Sequence, residues 1–190
     1  MAKLYFKYGT MGCGKSLEII RCAYNYIEKG KSVLLLTSSL DNRYGSNTKI
    51  ISRIGLEMDA IPIYDESDII QIFNDESNID CVFVDEVQFM NPKHIDQLSK
   101  IVDYYNVPVI CYGLISDYQN NPFKGSSYLT AIADKIDEIK SICWCGKKAT
   151  TNARILDGEI VRNGEQILIG GNNSYVSLCR KHFKEGKLNK

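Results

Sequence analysis

The chain of 190 residues carries no net charge, with Lys plus Arg and Asp plus Glu standing at 23 each. That balance removes the overall field that a coat for a phosphate polymer needs, so nucleic acid is not an expected partner. No stretch approaches the roughly 20 apolar residues that cross a bilayer, and no membrane partner is expected. The start, Met1-Ala2-Lys3-Leu4-Tyr5-Phe6, alternates and runs straight into a glycine-rich loop, which does not read as a signal peptide. Internal repeats and low-complexity tracts are missing as well. What the chain does have is an ordinary globular composition, 44% hydrophobic and 24% charged, and seven cysteines. An odd number of thiols does not suit a disulfide scaffold and predicts a reduced, cytoplasmic setting. Cys13, Cys22, Cys81 and Cys111 are scattered, whereas Cys143, Cys145 and Cys179 gather in the last quarter beside His182.

The hydrophobic pattern predicts strands at 3–8, 32–37, 60–64, 81–84 and 107–112, the second and fourth as continuous apolar runs of the kind buried on both faces. Between them lie helical periods. Ile20, Ala23, Tyr24 and Ile27 form one, closed by Lys29-Gly30; Ile69, Ile70, Ile72 and Phe73 form another, with Ser67 as its expected cap. Pro92 opens a third, carrying Ile95, Leu98, Val102 and Tyr105, and 126–133 reads as a fourth. On the third helix His94 falls on the polar side and is expected at the surface. Tyr24, Tyr26, Tyr104 and Tyr105 are expected in helix packing or subunit contacts, and the basic tail 180–190 as a solvated end. Strands alternating with helices imply an α/β fold, a parallel sheet flanked by helices, with ligands beyond the carboxyl ends of the strands. After about residue 141 helical periodicity stops, and Asp157-Gly158 and Asn163-Gly164 punctuate short β-like runs. Two domains are expected, 1–140 for nucleotide binding and a smaller one over 141–190.

Gly9-Thr10-Met11-Gly12-Cys13-Gly14-Lys15-Ser16 fits G-x-x-x-x-G-K-[ST] at every fixed position. Chance would produce it in a chain of this composition roughly 0.01 times, before the flanking strand and helix are required. Glycines let the backbone N–H groups turn inward onto phosphate oxygens, and the following helix adds its positive end. Lys15 then reaches the β/γ-phosphates and the Ser16 hydroxyl ligates Mg²⁺. Cys13 is expected as a small loop filler. The acid such a loop needs comes from Cys81-Val82-Phe83-Val84-Asp85-Glu86, an apolar strand ending in two carboxylates. Asp85 would face the metal and Glu86 whatever attacks the γ-phosphate.

Cys143-Trp144-Cys145 and Cys179-Arg180-Lys181-His182 are two ligand pairs separated by 33 residues, 146–178. Three thiolates and an imidazole make a closed tetrahedral zinc set, structural in character, that can pin both ends of an excursion with little core of its own.

Together, G-x-M-x-x-G-K-S near the start, Asp85-Glu86-x-Gln88-Phe89, Gly113-Leu114, Pro122-Phe123-x-Gly125 and the late Cys/His pairs resemble the cellular-type thymidine kinases, the family of the human cytosolic and most bacterial enzymes. The resemblance runs in order along essentially the whole chain. It implies an ATP-dependent kinase of the 5′-hydroxyl of thymidine and deoxyuridine in nucleotide salvage, requiring Mg²⁺, stabilised by zinc, assembled as a homotetramer and inhibited by thymidine triphosphate (dTTP). By position it makes Glu86 the catalytic base and Asp85 the magnesium-associated acid. Gln88 is placed near the phosphates, and Arg43, in Asp41-Asn42-Arg43-Tyr44, against phosphate. It assigns Met11, Phe89, Leu114, Tyr118, Phe123 and Asn152 to the nucleoside pocket. The segment between the zinc pairs resembles a lasso closing over the nucleoside, with Leu168, Ile169, Gly170 and Gly171 and the Tyr175 side chain near the substrate.

Four features depart from the family pattern: the C-x-C spacing at Cys143, Arg53 where many members have His, Ile115 in place of a frequent Asp, and Asn152 at a position commonly Thr. Two other readings use the same loop. One is a P-loop ATPase whose zinc unit binds DNA, which would want a basic face; the other is a non-catalytic nucleotide-gated module, for which Asp85-Glu86 would be superfluous.

Overall fold

The computed structural model describes residues 1–41, 48–167 and 175–189. Six strands form one parallel sheet: β1 (Leu4–Tyr8), β2 (Ser32–Ser38), β5 (Ile61–Ile63), β6 (Ile79–Val84), β7 (Val109–Gly113) and β8 (Lys135–Glu138). Their order is β5-β2-β6-β7-β1-β8, so β2 and β6 lie side by side, as do β7 and β1. Side chains alternate across a strand, and the apolar runs divide accordingly. Leu35, Cys81, Phe83 and Tyr112 meet Ile19, Ile20 and Ala23 of helix α1 (Lys15–Ile27). Leu34, Leu36, Val82, Val84 and Val109 face the other way, onto α2 (Ile69–Asp75), α3 (Pro92–Tyr105) and α4 (Lys124–Ile132). An unbroken apolar run is what two covered faces require, and the expected α/β architecture is the observed one.

Between β2 and β5 stands a two-stranded hairpin, β3 (Lys49–Ile51) and β4 (Glu57–Asp59), absent from the sequence reading. β8 was not anticipated either: it is an edge strand with three of its four residues charged and two of the four exposed, and among the described strands it pairs with β1 alone. Beyond it, β9 (Thr151–Leu156) lies between β10 (Glu159–Ile160) and β11 (Tyr175–Leu178) in an antiparallel sheet, followed by α5 (Arg180–Glu185). The tail is thus partly helical and tucks Phe183 into this unit's core.

Three local expectations are corrected. The cap of α2 is Asp68, whose carboxylate accepts from the N–H groups of Ile70 and Gln71; Ser67 instead accepts from Tyr64 N–H. Helix α4 starts two residues earlier than expected, at Lys124, and its Gly125 lies against the chain after β6, where a Cβ would come within 2.7 Å of the Val87 carbonyl. His94 is not at the surface: it is 1% exposed, in the first turn of α3 beneath the ends of β2 and β5. Periodicity counts faces along a helix but cannot see that its first turn is itself covered. Of the four tyrosines, Tyr26 packs edge-on against Phe83, while Tyr24 and Tyr104 are exposed.

Candidate active site

The phosphate loop joins β1 to α1. Gly14 holds a left-handed φ of 91° at the helix cap and no side chain caps the helix, leaving its first N–H groups pointing outward. Lys15 is buried and donates to the carbonyls of Thr10 (3.0 Å) and Gly9 (3.4 Å). Thr10 bonds Ser141 through the two hydroxyls. Cys13 packs its Sγ close to Gly9, in keeping with a filler. Met11 is held from the far unit: its N–H donates to Asn152 Oδ1 at 2.7 Å and its carbonyl accepts from Ser177 Oγ at 2.6 Å.

At the carboxyl end of β6 the two acids part. Asp85 Oδ2 accepts from the Ser16 hydroxyl at 2.8 Å, while Oδ1 accepts from Glu86 N–H at 2.9 Å. Glu86 has a left-handed φ of 51°, a conformation a non-glycine residue keeps only when its surroundings hold it there. The Asp85 carboxylate accepts from its N–H and the Phe89 N–H donates to its carbonyl, while Gln88 holds its side chain. The Gln88 amide nitrogen donates to Glu86 Oε2 and its amide oxygen accepts from Leu114 N–H at 3.0 Å. Gln88 does not line the cavity; it stands behind Glu86, which does.

That cavity, about 280 Å³, has the phosphate loop at one end, with Met11, Gly12, Lys15 and Ser16. At the other end Phe89 and Phe123, edge to face at 5.7 Å, join Leu114, Tyr118 and Tyr175. Asn152 reaches both the cavity wall and the loop backbone. Arg43 and Leu168, Ile169, Gly170 and Gly171 lie outside the described residues.

Arg154, which the sequence does not single out, organises the residues above this end of the cavity. It is 5% exposed and stacks its guanidinium 3.8 Å from the centre of the Tyr118 ring. It donates to the Tyr175 hydroxyl (3.0 Å) and to the carbonyls of Glu165 (2.8 Å) and Gln166 (3.2 Å). The Gln166 amide in turn donates to Asp117, whose other oxygen takes the N–H groups of Gln119 and Asn121. A lone basic residue inside the alternation of β9 was the signal available.

The donor atoms of Cys143, Cys145, Cys179 and His182 all lie within 4.8 Å of one another. Burial raises the Cys143 thiol pKa, but the N–H groups of Cys145 and Cys179 and the His182 ring outweigh it and bring it down to about 6. The His182 ring stacks on Trp144 at 4.2 Å. Three sulfurs and one imidazole nitrogen converging at this spacing fit a structural zinc ion with all four positions filled by protein. The short C-x-C pair closes through a turn in which Gly146 N–H bonds the Cys143 carbonyl, with Gly146 at φ 82°.

Comparison with known proteins bears on this geometry. A protein-family model described as "Thymidine kinase" matches residues 2–183. The thymidine kinase of Lactococcus lactis subsp. lactis is 51% identical over 185 residues, covering 96% of this chain and 97% of its own. That of Enterococcus faecalis is 49% identical over 185 residues, at 96% and 95% coverage. That of Shewanella oneidensis is 48% identical over 190 residues, at 97% and 98% coverage.

Proposed function

The chain belongs to the thymidine kinase family, and from that premise we propose that it transfers the γ-phosphoryl group of ATP to the 5′-hydroxyl of thymidine, and of deoxyuridine, giving the monophosphate and ADP. The observation that carries this reading is one cavity with the phosphate loop at one end, an aromatic pocket at the other, and the buried Glu86 carboxylate on its wall. In the transfer, the 5′-oxygen forms its bond to Pγ as the bond from Pγ to the β–γ bridging oxygen breaks. Glu86 accepts the hydroxyl proton, and Gln88 keeps its carboxylate turned to the acceptor. Lys15 and the loop N–H groups stabilise charge on the transferring group. Ser16 and Asp85, already bonded to each other, would hold Mg²⁺, which supplies charge neutralisation when bound. Cys143, Cys145, Cys179 and His182 would hold zinc in a structural role.

Phe89, Phe123, Leu114 and Tyr118 would line the pocket for the base, while the Arg154-held cover excludes water so that the nucleoside, not water, is the acceptor. Arg43 against phosphate and backbone groups of 168–171 over the base belong to the same reading, as do the domain limits 1–140 and 141–190. Inhibition by dTTP belongs to the same reading, and it is supported by one cavity whose lining joins phosphate-loop and aromatic residues that a thymidine bearing three phosphates would span. Assembly as a homotetramer is supported by large exposed apolar and aromatic side chains on the helices, among them Tyr24, Tyr104, Tyr128 and Ile132. Seven unpaired thiols suit a reduced cytoplasm.

Incubation with MgATP and thymidine tests the reading. The expected product is thymidine monophosphate in step with ADP; ADP released without it, with or without DNA, overturns the proposal.

A further inference from the structure

The cavity holds a second cation that the reaction above does not use. Among the described residues that line it, only Lys15 and Arg53 are basic. Lys15 is engaged with loop carbonyls. Arg53 makes no ion pair or hydrogen bond with any described residue. Arg53 is exposed at the edge of a cavity that also carries Asp41, Glu86 and Asp117, and a guanidinium with five donors and no ion pair among the described residues is free to take an anionic ligand there.

Its placement is built. Arg53 rides the turn between β3 and β4, and Ser52 closes that turn four ways. Ser52 N–H donates to the Leu56 carbonyl (2.8 Å), its carbonyl accepts from Gly55 N–H (3.0 Å), and its hydroxyl both donates to the Leu56 carbonyl (3.1 Å) and accepts from Leu56 N–H (3.0 Å). Ser52 is buried, and Ile50 on the strand below is packed with Ile19 and Ile20 of α1. The hairpin is therefore anchored to the helix that begins at the phosphate loop.

From there the side chain lies over Gly12. A Cβ built on Gly12 would meet the Arg53 guanidinium at 2.8 Å from Nη1 and 3.1 Å from Cζ. Gly12 also has φ +76°, so both backbone angle and overlying cation require the missing side chain. Loop N–H groups around Gly12 face the β- and γ-phosphates in a P-loop, with Lys15 reaching them from below. Arg53 lies over Gly12 of that same loop.

We propose that Arg53 is a phosphate-contacting catalytic residue, donating its fork to the β–γ edge of the bound nucleotide. This rests on the kinase reading above. As the bond from Pγ to the bridging oxygen breaks, negative charge grows on the β-phosphate side. A guanidinium there favours the transition state over the ground state, which places its effect in kcat more than in KM.

The test compares wild type with Arg53→Ala and Arg53→Lys, following thymidine monophosphate with and without millimolar guanidinium ion. For Arg53→Ala kcat is expected to fall on the order of 10²–10³-fold with thymidine KM nearly unchanged, at the lower edge of arginine contacts on a transferring phosphoryl. Arg53→Lys is expected to recover part of that loss, since a point charge replaces the fork. Added guanidinium should restore rate to the alanine variant and none to wild type, a response no purely structural role would give. Near-wild-type kcat in Arg53→Ala overturns the assignment, as does a loss that guanidinium leaves untouched in a variant that melts like wild type. If Arg53→Ala melts early, Arg53→Lys decides: its turning over at the wild-type rate overturns the assignment. Wild type that makes no thymidine monophosphate removes the kinase reading itself, whereas an active wild type beside an indifferent Arg53→Ala removes only the role of Arg53.

Discussion

Among the described residues, eighteen buried side chains pack one face of the parallel sheet, and six back the antiparallel sheet beyond residue 141. Two of those six are Cys143 and Cys179. The first region is held by surface removed from water, with Phe6, Leu36, Val82 and Leu98 fully enclosed. The second replaces bulk with directed bonds: four metal donors at one end and the Arg154 hub at the other. Small units with thin cores need such staples. Directed bonds also confine stability to a few replaceable atoms, so removing those atoms is expected to undo the second region before the first. The candidate site divides in the same way, with Glu86 and Asp85 at the end of the parallel sheet and Arg154 and Tyr175 on the antiparallel one.

The largest expected effect falls on the sheet side. Glu86→Gln keeps the size of the side chain and should lower kcat by about 10²–10⁴-fold, the usual contribution of a general base, with thymidine KM little changed. Steady-state kinetics on the folded variant checks it; unchanged turnover would place the base elsewhere.

Next comes the staple. Cys145→Ala is expected to lose zinc by metal analysis and to raise thymidine KM by about 10–100-fold, the range over which altered metal shells act. Its parallel sheet should still unfold cooperatively. Loss of the whole fold in one transition would erase the contrast between the regions.

Arg154→Met removes the hub but leaves the donors. Thymidine KM should rise by about tenfold or more, since a charge-assisted hydrogen bond carries about 1.5–3 kcal/mol, while zinc content stays at the wild-type level. Metal lost together with affinity would mean that the two staples are one.

The smallest effect concerns His94, a polar group sunk in the apolar region. Burial holds its pKa below the ordinary 6.5, aided by Lys93 and opposed by the Ser67 and Asp65 carbonyls and the Asp65 charge. The unfolded chain takes up that proton first, so stability falls as pH drops from about 6.5 toward the folded pKa and is regained as pH rises. His94→Met, without the titration, should lose less melting temperature between neutral and mildly acid pH than wild type does. Equal losses would show that His94 does not contribute.

Much of the first region was legible because burying both faces of a strand leaves a plain mark: SVLLLT and CVFV are what two helix layers select. The glycine-lysine-serine loop and the paired acids were legible because phosphate chemistry fixes their spacing. The hairpin β3–β4 and strand β8 were not, since short or charged edge strands carry no apolar signature. Arg154 and Arg53 escaped for a related reason. Their importance lies in what they meet across the fold, Tyr118 and Tyr175 for one and Gly12 for the other, and residue type alone does not announce a distant partner. The family resemblance puts Gln88 near the phosphates, and its side chain bonds Glu86 and Leu114, partners that residue type alone does not name.

Met11 is the one residue of the phosphate loop whose N–H and carbonyl are both taken by the antiparallel unit, through Asn152 and Ser177. A nucleotide that draws on the Met11 N–H competes with Asn152 for it, and a nucleoside that shifts β9 against β11 moves the same bond. The two binding equilibria thus share a term. Whatever factor one ligand imposes on the other's affinity must be returned in equal measure, because a closed thermodynamic cycle permits no difference. Through two hydrogen bonds, the order in which the ligands arrive becomes a matter of rates alone.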